Sequence, residues 1–401
     1  MSGFAAEGLF TQYAPLDGKD WKEAAGECIA AVDIGTTTIA MQLRNMADGE
    51  ILDTFTCLNP QRNYGADVLS RIEAAERPEA AKAMRKAVKD ALEQGIRQFR
   101  RKLSVLQLSA EGNAMGTEKA ELIENVKPFL KRMVIAANTT MVHLLMGYDV
   151  SRLGRYPFEA QTLAAVHTKL FDLDTMILPG ASAFVGGDIV AGIHALRMQE
   201  REEVTLLLDL GTNGEMVLGN KDRLIAAATA AGPAFEGNGE CHGADLMALT
   251  AALLKEGLLD STGLLAEPYF ENGVDVGGVH LTQPYIRQLQ MAKSAICTGI
   301  RILCDKYGFT DTSAISRVWL AGGMGYYLDS QAAADIGLFP KELAKRTKAV
   351  GNAALEGAFL YGREVRNAAK IEAPAIEVFN LAEEPDFSEA YIDGMELCSC
   401  K

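Results

Sequence analysis

Apolar residues along this chain fall into short unbroken runs that alternate with helically spaced stretches, the pattern of an α/β protein. Cys28-Ile-Ala-Ala-Val-Asp33 opens the series as a strand buried on both faces, with an acid at its end. Ile34-Gly35-Thr36-Thr37-Thr38 is a tight turn, Ile39–Arg44 a second strand, Ala47-Asp48-Gly49 a hairpin turn and Ile51–Leu58 a third strand. Pro78–Leu103 sets apolar side chains at helical spacing among Ala, Lys, Arg and Glu, which predicts a long surface helix. Lys131–Ala137 is a further strand, running through Asn138-Thr-Thr-Met141 into a helix that ends near Gly147. Gly186-Gly187-Asp188 heads an Ala- and Ile-rich helix.

The opening pattern then returns. Val204–Leu210 is an apolar strand carrying Asp209, followed by Gly211-Thr212-Asn213-Gly214 and a strand at Met216–Leu218. Asp33-Ile-Gly-Thr-Thr and Asp209-Leu-Gly-Thr-Asn are two copies of one strand–turn–strand device, 176 positions apart. A repeat on this scale predicts two related α/β lobes rather than a solenoid. The expected organisation is an extension over 1–27, a first lobe over 28–200, a second over 201–368 and a C-terminal segment over 369–401 ending in Cys398-Ser399-Cys400. The second lobe closes with a strand at Arg317–Leu320, a turn at Ala321-Gly322-Gly323-Met324-Gly325 and a helix at Gly351–Gly362, before a strand-like Ala375–Asn380.

A turn built of glycine and hydroxyl residues can aim backbone N–H and side-chain O–H groups at a phosphate. An Asp at the strand end can hold Mg²⁺ through water, since cations bound together with phosphates take few carboxylates. One such turn is ordinary; two, each behind a buried strand, point to paired phosphate loops. Gly35, Thr36, Thr37 and Thr38 are the candidates in one lobe, and Gly211, Thr212 and Asn213 in the other, with Asp33 and Asp209 as metal-positioning acids. Gly322, Gly323 and Met324 follow a strand where only backbone could approach a ribose or a flat ring.

Charge narrows the ligand. With 39 basic against 53 acidic side chains, the formal charge is −14, which disfavours nucleic acid as a partner. A polyanion such as ATP must then be held by backbone N–H groups, helix N-termini and a metal ion. No long uncharged apolar stretch or signal-like N-terminus appears, so the expected protein is cytoplasmic. Seven scattered cysteines read as reduced thiols, with Cys297 and Cys304 as small buried hydrophobes on one helix face.

The order of phosphate loop, connecting helix, second phosphate loop and adenosine loop resembles the acetate and sugar kinase, Hsp70 and actin (ASKHA) superfamily, a duplicated α/β fold of actin/hexokinase/Hsp70 type with an ATP cleft between two lobes. More closely, the chain resembles the ATPase domain of the reductive activators of corrinoid-dependent proteins. The resemblance rests on Asn59-Pro-Gln-Arg-Asn-Tyr-Gly-Ala-Asp67-Val-Leu-Ser-Arg-Ile72, Asn138-Thr-Thr-Met141, Tyr156-Pro-Phe158, Gly186-Gly-Asp188, Asp209-Leu-Gly-Thr-Asn-Gly-Glu215, Ala231-Gly-Pro-Ala-Phe-Glu-Gly237, Gln290-Met-Ala-Lys293-Ser-Ala-Ile296 and Ile336-Gly-Leu-Phe-Pro340. It implies an ATPase that helps drive an electron onto an inactive Co(II) corrinoid, regenerating Co(I) in a corrinoid protein or methyltransferase. It further implies that Asp188 orients the attacking water, and that Gly232, Glu236 and Lys293 lie near the ribose or base. Family members carry an N-terminal [2Fe–2S] domain, whereas no cysteine precedes Cys28, so no such cluster is expected and a separate low-potential, ferredoxin-like donor must supply the electron. A homodimer sharing a cluster through Cys398 and Cys400 is also admitted. A small-molecule kinase of the same fold and a nucleotide-gated scaffold are the competing readings.

Overall fold

The computed structural model describes residues 27–110, 130–235, 243–276, 278–322, 328–364, 372–398 and 400. The chain divides into two compact units. One runs up to Leu196 and later takes back Ala353–Pro374; the other comprises Arg197–Asn352 and Ala375–Lys401. Each has its own apolar core.

The first unit is built on a six-stranded sheet: β1 (Cys28–Ile34), β2 (Thr38–Asn45), β3 (Ile51–Leu58), β4 (Leu130–Ala137), β5 (Val166–Leu170) and β6 (Leu173–Ile177), in the order β3-β2-β1-β4-β6-β5. β1 pairs antiparallel with β2 on one side and parallel with β4 on the other. Such a central strand is covered on both faces, which is why β1 is almost wholly buried. The helices are α1 (Val68–Ala75), α2 (Pro78–Ala110), α3 (Thr139–Met146) and α4 (Gly187–Ala195). Asp67 caps α1 in a reciprocal capping box with Ser70. The long polar helix expected from Pro78 onwards is present and runs on to Ala110.

The second unit repeats the plan. β7 (Thr205–Leu210), β8 (Asn213–Gly219) and β9 (Leu224–Ala230) form an antiparallel meander. A two-stranded ribbon, β10 (Val274–Val276) and β11 (Val279–Leu281), precedes helix α5 (Gln283–Tyr307). β12 (Arg317–Ala321) and β13 (Thr347–Gly351) add in parallel beside β7, and β14 (Ile376–Phe379) adds beside β9, giving the order β13-β12-β7-β8-β9-β14. Strands β1, β2, β3, β4 and β6 therefore correspond one for one to β7, β8, β9, β12 and β13. The duplication expected from the two Asp-x-Gly-Thr turns extends to whole sheets.

One assignment changes. Helix α6 (Ala353–Glu364), which the sequence pattern grouped with the second lobe, packs in the first unit against α4, β1 and β4. The cause is side-chain chemistry: Arg44 on β2 is buried and donates to Glu356 of α6 at 2.5 Å, while its guanidinium lies 3.8 Å from the centre of the Phe359 ring. α6 also meets α4 backbone to backbone, since a Cβ added at Gly357 would fall 2.0 Å from the Ala191 carbonyl oxygen. A short helix, α7 (Phe387–Asp393), leads to the C-terminal residues of the second unit.

Breaking one member of a buried ion pair leaves the other charge without compensation. Glu356→Ala is expected to destabilise the protein by about 3 kcal/mol in urea unfolding, with Glu356→Gln losing less because it keeps an acceptor for Arg44.

Candidate functional site

In the first unit, Asp33 and Ile34 end β1 level with Ala136 and Ala137 at the end of β4. The turn Gly35–Thr38 closes through the Gly35 N–H donating to the Thr38 carbonyl at 2.9 Å. A side chain at Gly35 would press on that carbonyl, its Cβ at 2.9 Å. Immediately after β4, Asn138 caps α3, accepting from the Thr140 N–H at 2.9 Å, and Thr139 Oγ1 donates to the Ser182 carbonyl at 2.6 Å. Gly186 lies against this cap: a Cβ there would stand 2.6 Å from the Thr139 nitrogen and 2.7 Å from the Ala137 oxygen. The same edge of the sheet thus gathers Asp33, the Gly35–Thr38 turn, Thr139 and the entry to α4. Carboxyl ends of parallel strands are where open α/β sheets hold ligands.

Asp188 sits in the first turn of α4. It is not the helix cap, which is Gly186 and makes no side-chain bond. Its Oδ1 accepts from the Ile189 N–H at 2.9 Å. Burial pushes its pKa up to about 6, against the opposing pull of the neighbouring amides. This is the range in which a carboxylate can take up a proton near neutral pH. His143, buried on α3, keeps Nδ1 2.8 Å from the Thr139 carbonyl, and burial holds its pKa below the usual value.

In the second unit, Asp209 is the last but one residue of β7, opposite buried Glu215 of β8 and level with Ala321 of β12. The turn Gly211-Thr212-Asn213 closes through Gly211 N–H to the Asn213 carbonyl at 2.9 Å. Gly232, with φ +70°, donates its N–H to the Thr212 carbonyl at 3.0 Å, and a Cβ there would meet nothing within 4 Å. Gly322, with φ +90°, packs on the same turn, because a Cβ would fall 2.7 Å from Asp209 Oδ1 and 2.6 Å from the Leu210 oxygen. Asp209, Gly211, Thr212, Asn213, Gly232 and Gly322 therefore lie together in this unit. Glu236, Gly323 and Met324 lie outside the described residues. These turns offer hydroxyls, backbone N–H groups and carboxylates, a hard donor set suited to phosphate with Mg²⁺. Among the described residues, no group of three or more His, Cys, Asp or Glu side chains forms a metal cluster.

Lys293 departs from expectation. It is fully buried on α5, and its Nζ donates to the Glu396 carbonyl. Burial pushes its pKa down to about 8, opposed by the charges of Cys398 and Glu396. One face of α5 binds the C-terminal segment at four positions spaced by turns: Gln290 to the Met395 carbonyl at 2.8 Å, Lys293 to Glu396, Ser294 to the Tyr391 carbonyl, and Cys297 through a disulfide to Cys400. The expectation of reduced cysteines is thus corrected at Cys297 and Cys400. Their pairing across 103 positions leaves no local mark in a sequence. Cys304 stays free and buried, its thiol pushed up to about 12 by burial, and Cys398 is free and exposed. Ile296, one helical turn on from Lys293, supports the second turn, since a Cβ at Gly214 would strike it.

Comparison with known proteins agrees with this layout. The chain matches the family model described as the RACo middle region over residues 28–201, and that of the C-terminal ASKHA domain of RACo over 203–255 and 269–401. It is 29% identical to the corrinoid activation enzyme RamQ of Eubacterium limosum, over 90% of this chain and 69% of RamQ. A 74-residue stretch is 36% identical to the [Co(II) methylated amine-specific corrinoid protein] reductase of Methanosarcina barkeri, spanning 18% of this chain and 14% of the reductase. Among solved structures, the reductive activator for corrinoid,iron-sulfur protein superposes with a TM-score of 0.77 at 27% identity, covering 94% of this chain and 67% of that one. Among the described residues, no helix is long and apolar enough to cross a membrane.

Losing the Cys297–Cys400 bond should lower the thermal midpoint by roughly 5 °C or more. Dithiothreitol should lower the wild type to the level of Cys400→Ser and leave that variant unmoved, read by differential scanning fluorimetry alongside peptide mass mapping.

Proposed function

The chain belongs to the RACo family through its middle region and its C-terminal ASKHA domain, and we propose that it is a cytoplasmic, ATP-dependent activator that returns a Co(II) corrinoid on a partner protein to Co(I). The observation that carries this reading is the match, over nine-tenths of the chain, to a protein named for corrinoid activation. The pair of aspartate-headed turns, each at the carboxyl end of a parallel strand, supports ATP as the ligand.

In this reading Gly35, Thr36, Thr37 and Thr38 of the first unit hold phosphate oxygens through N–H and O–H groups, as Gly211, Thr212 and Asn213 do in the second. Asp33 and Asp209 would each hold Mg²⁺ through its water shell, the ion neutralising charge on the phosphates. Gly232 leaves backbone open to the nucleoside, and Gly322 packs its strand end onto the Asp209 turn. Lys293, bonded to the Glu396 carbonyl, braces the C-terminal segment on the helix that packs beside Gly232. Asp188 takes the proton of the attacking water as ATP and water become ADP and phosphate. The electron comes from a separate low-potential donor of ferredoxin type and ends on cobalt. Hydrolysis supplies no electron; it shifts which conformation of the activator binds the corrinoid partner.

The deciding experiment follows Co(I) absorbance in a cob(II)alamin-loaded corrinoid methyltransferase with reduced ferredoxin, with and without ATP. ATP-dependent Co(I) formation and a several-fold rise in ATP turnover on adding the partner are expected. A phosphorylated sugar or carboxylate as the product, with no effect on cobalt, would establish a kinase instead.

Asp188 gives the reaction a pH signature. Only its ionised form accepts a proton, and that form is lost as pH falls through about 6. ATP turnover should therefore drop on the acid side with a midpoint near this value, and Asp188→Asn should lower kcat by roughly 10²–10⁴ and abolish that limb.

A further inference from the structure

Asn59, quoted above only as the head of a long motif, is fully buried against the first turn. Its Nδ2 donates to the Gly35 carbonyl at 2.8 Å, and its main-chain N–H donates to the Thr37 carbonyl at 2.8 Å. Its Oδ1 accepts from the Gln61 N–H at 3.0 Å, capping the single helical turn Pro60–Asn63. Its Nδ2 also reaches Met141 Sδ, at 3.7 Å. One residue thus holds alternate carbonyls of the Gly35–Thr38 turn.

A trans peptide is planar, and its C=O and N–H point in opposite directions. Fixing the Gly35 oxygen on Asn59 aims the Thr36 N–H away from Asn59, and fixing the Thr37 oxygen does the same for the Thr38 N–H. Two alternate amides turned to the same side of a tight turn can both donate to one anion. Gly35 closes the turn from within by donating to the Thr38 carbonyl at 2.9 Å.

We propose that Asn59 is the positioning residue of the first phosphate turn, holding the Thr36 and Thr38 amides in the orientation that receives a nucleotide phosphate. This inference rests on the ATP reading above and adds to it the element that shapes the turn. Asn59 touches no reacting atom; it acts through two carbonyls. A merely structural role would make it the cap of the 60–63 turn and nothing more.

The two roles separate in Asn59→Ser and Asn59→Asp. Serine keeps a capping oxygen but is too short to donate to the Gly35 carbonyl. Aspartate keeps the cap and the volume but replaces the donor with a second acceptor. Asp67→Ala supplies the control for general destabilisation, because it removes the capping box of α1 without contacting the turn. MgATP affinity is measured by calorimetry and turnover by phosphate release, with the thermal midpoint of each variant recorded. The Asn59 variants are expected to raise the Kd and KM for MgATP by about tenfold or more, while Asp67→Ala lowers the midpoint and leaves both constants unchanged. Wild-type affinity in a folded Asn59→Ser or Asn59→Asp protein overturns the inference and leaves the ATP reading intact. An equal rise in Kd for Asp67→Ala overturns it too, as a general effect of lost stability. A wild type that binds no MgATP removes the ATP reading and this inference together.

Discussion

In both sheets a central strand has an antiparallel partner on one side and a parallel partner on the other. That pairing fixes the rest of the layout. β1 must end in a tight turn to return as β2, and β4, running beside it in the same direction, must exit at the same edge. β7, β8 and β12 repeat the arrangement. Two polar exits are forced together at the end of each central strand; Gly322 lets the β12 exit lie against the β7 turn, and Gly186 lets the entry to α4 lie against the β4 exit. The chemistry on offer at these edges comes from main-chain geometry more than from charged side chains.

A chain with net charge −14 has few cations to spare for a triphosphate. One of them, Lys293, is buried and donates to the Glu396 carbonyl of the C-terminal segment. What remains are aligned N–H groups, hydroxyls, a helix N-terminus at Gly186–Asp188 and acids suited to a hard metal ion. An acidic protein that binds an anion this way relies on direction, because an amide is effective only when its peptide plane is held. The buried Asn59 acquires its importance from that requirement.

Much of this was legible in the sequence, for reasons of range. The strand–turn–strand units at Asp33 and Asp209 are local, built from an apolar run, an acid and a glycine, and their repetition betrayed the duplicated sheets. Gly322 was legible because a glycine behind a strand implies close backbone approach. Asn59 was not, since its partners lie 24 positions away and a lone Asn before Pro reads as a cap. Lys293 read as a ligand-facing cation, because nothing nearby shows that residues 391–400 fold over its helix. Strands β5, β6 and β9 escaped notice as well; their polar and small residues carry weak strand signals. The raised pKa of Asp188 belongs to this hidden class too, as it is a product of burial.

The first unit is not contiguous in the chain: Arg44 emerges early in synthesis, and its partner Glu356 more than three hundred residues later. On the ribosome, β1 and β2 must therefore wait, with a buried-type arginine and an uncovered apolar sheet face, until 312 further positions have been translated. Vectorial folding can finish neither unit from the first two hundred residues alone, since Ala353–Pro374 completes one and Ala375–Lys401 the other. Fragments cut near residue 200 would inherit that unfinished state permanently, which makes this protein a poor subject for dissection into separate halves.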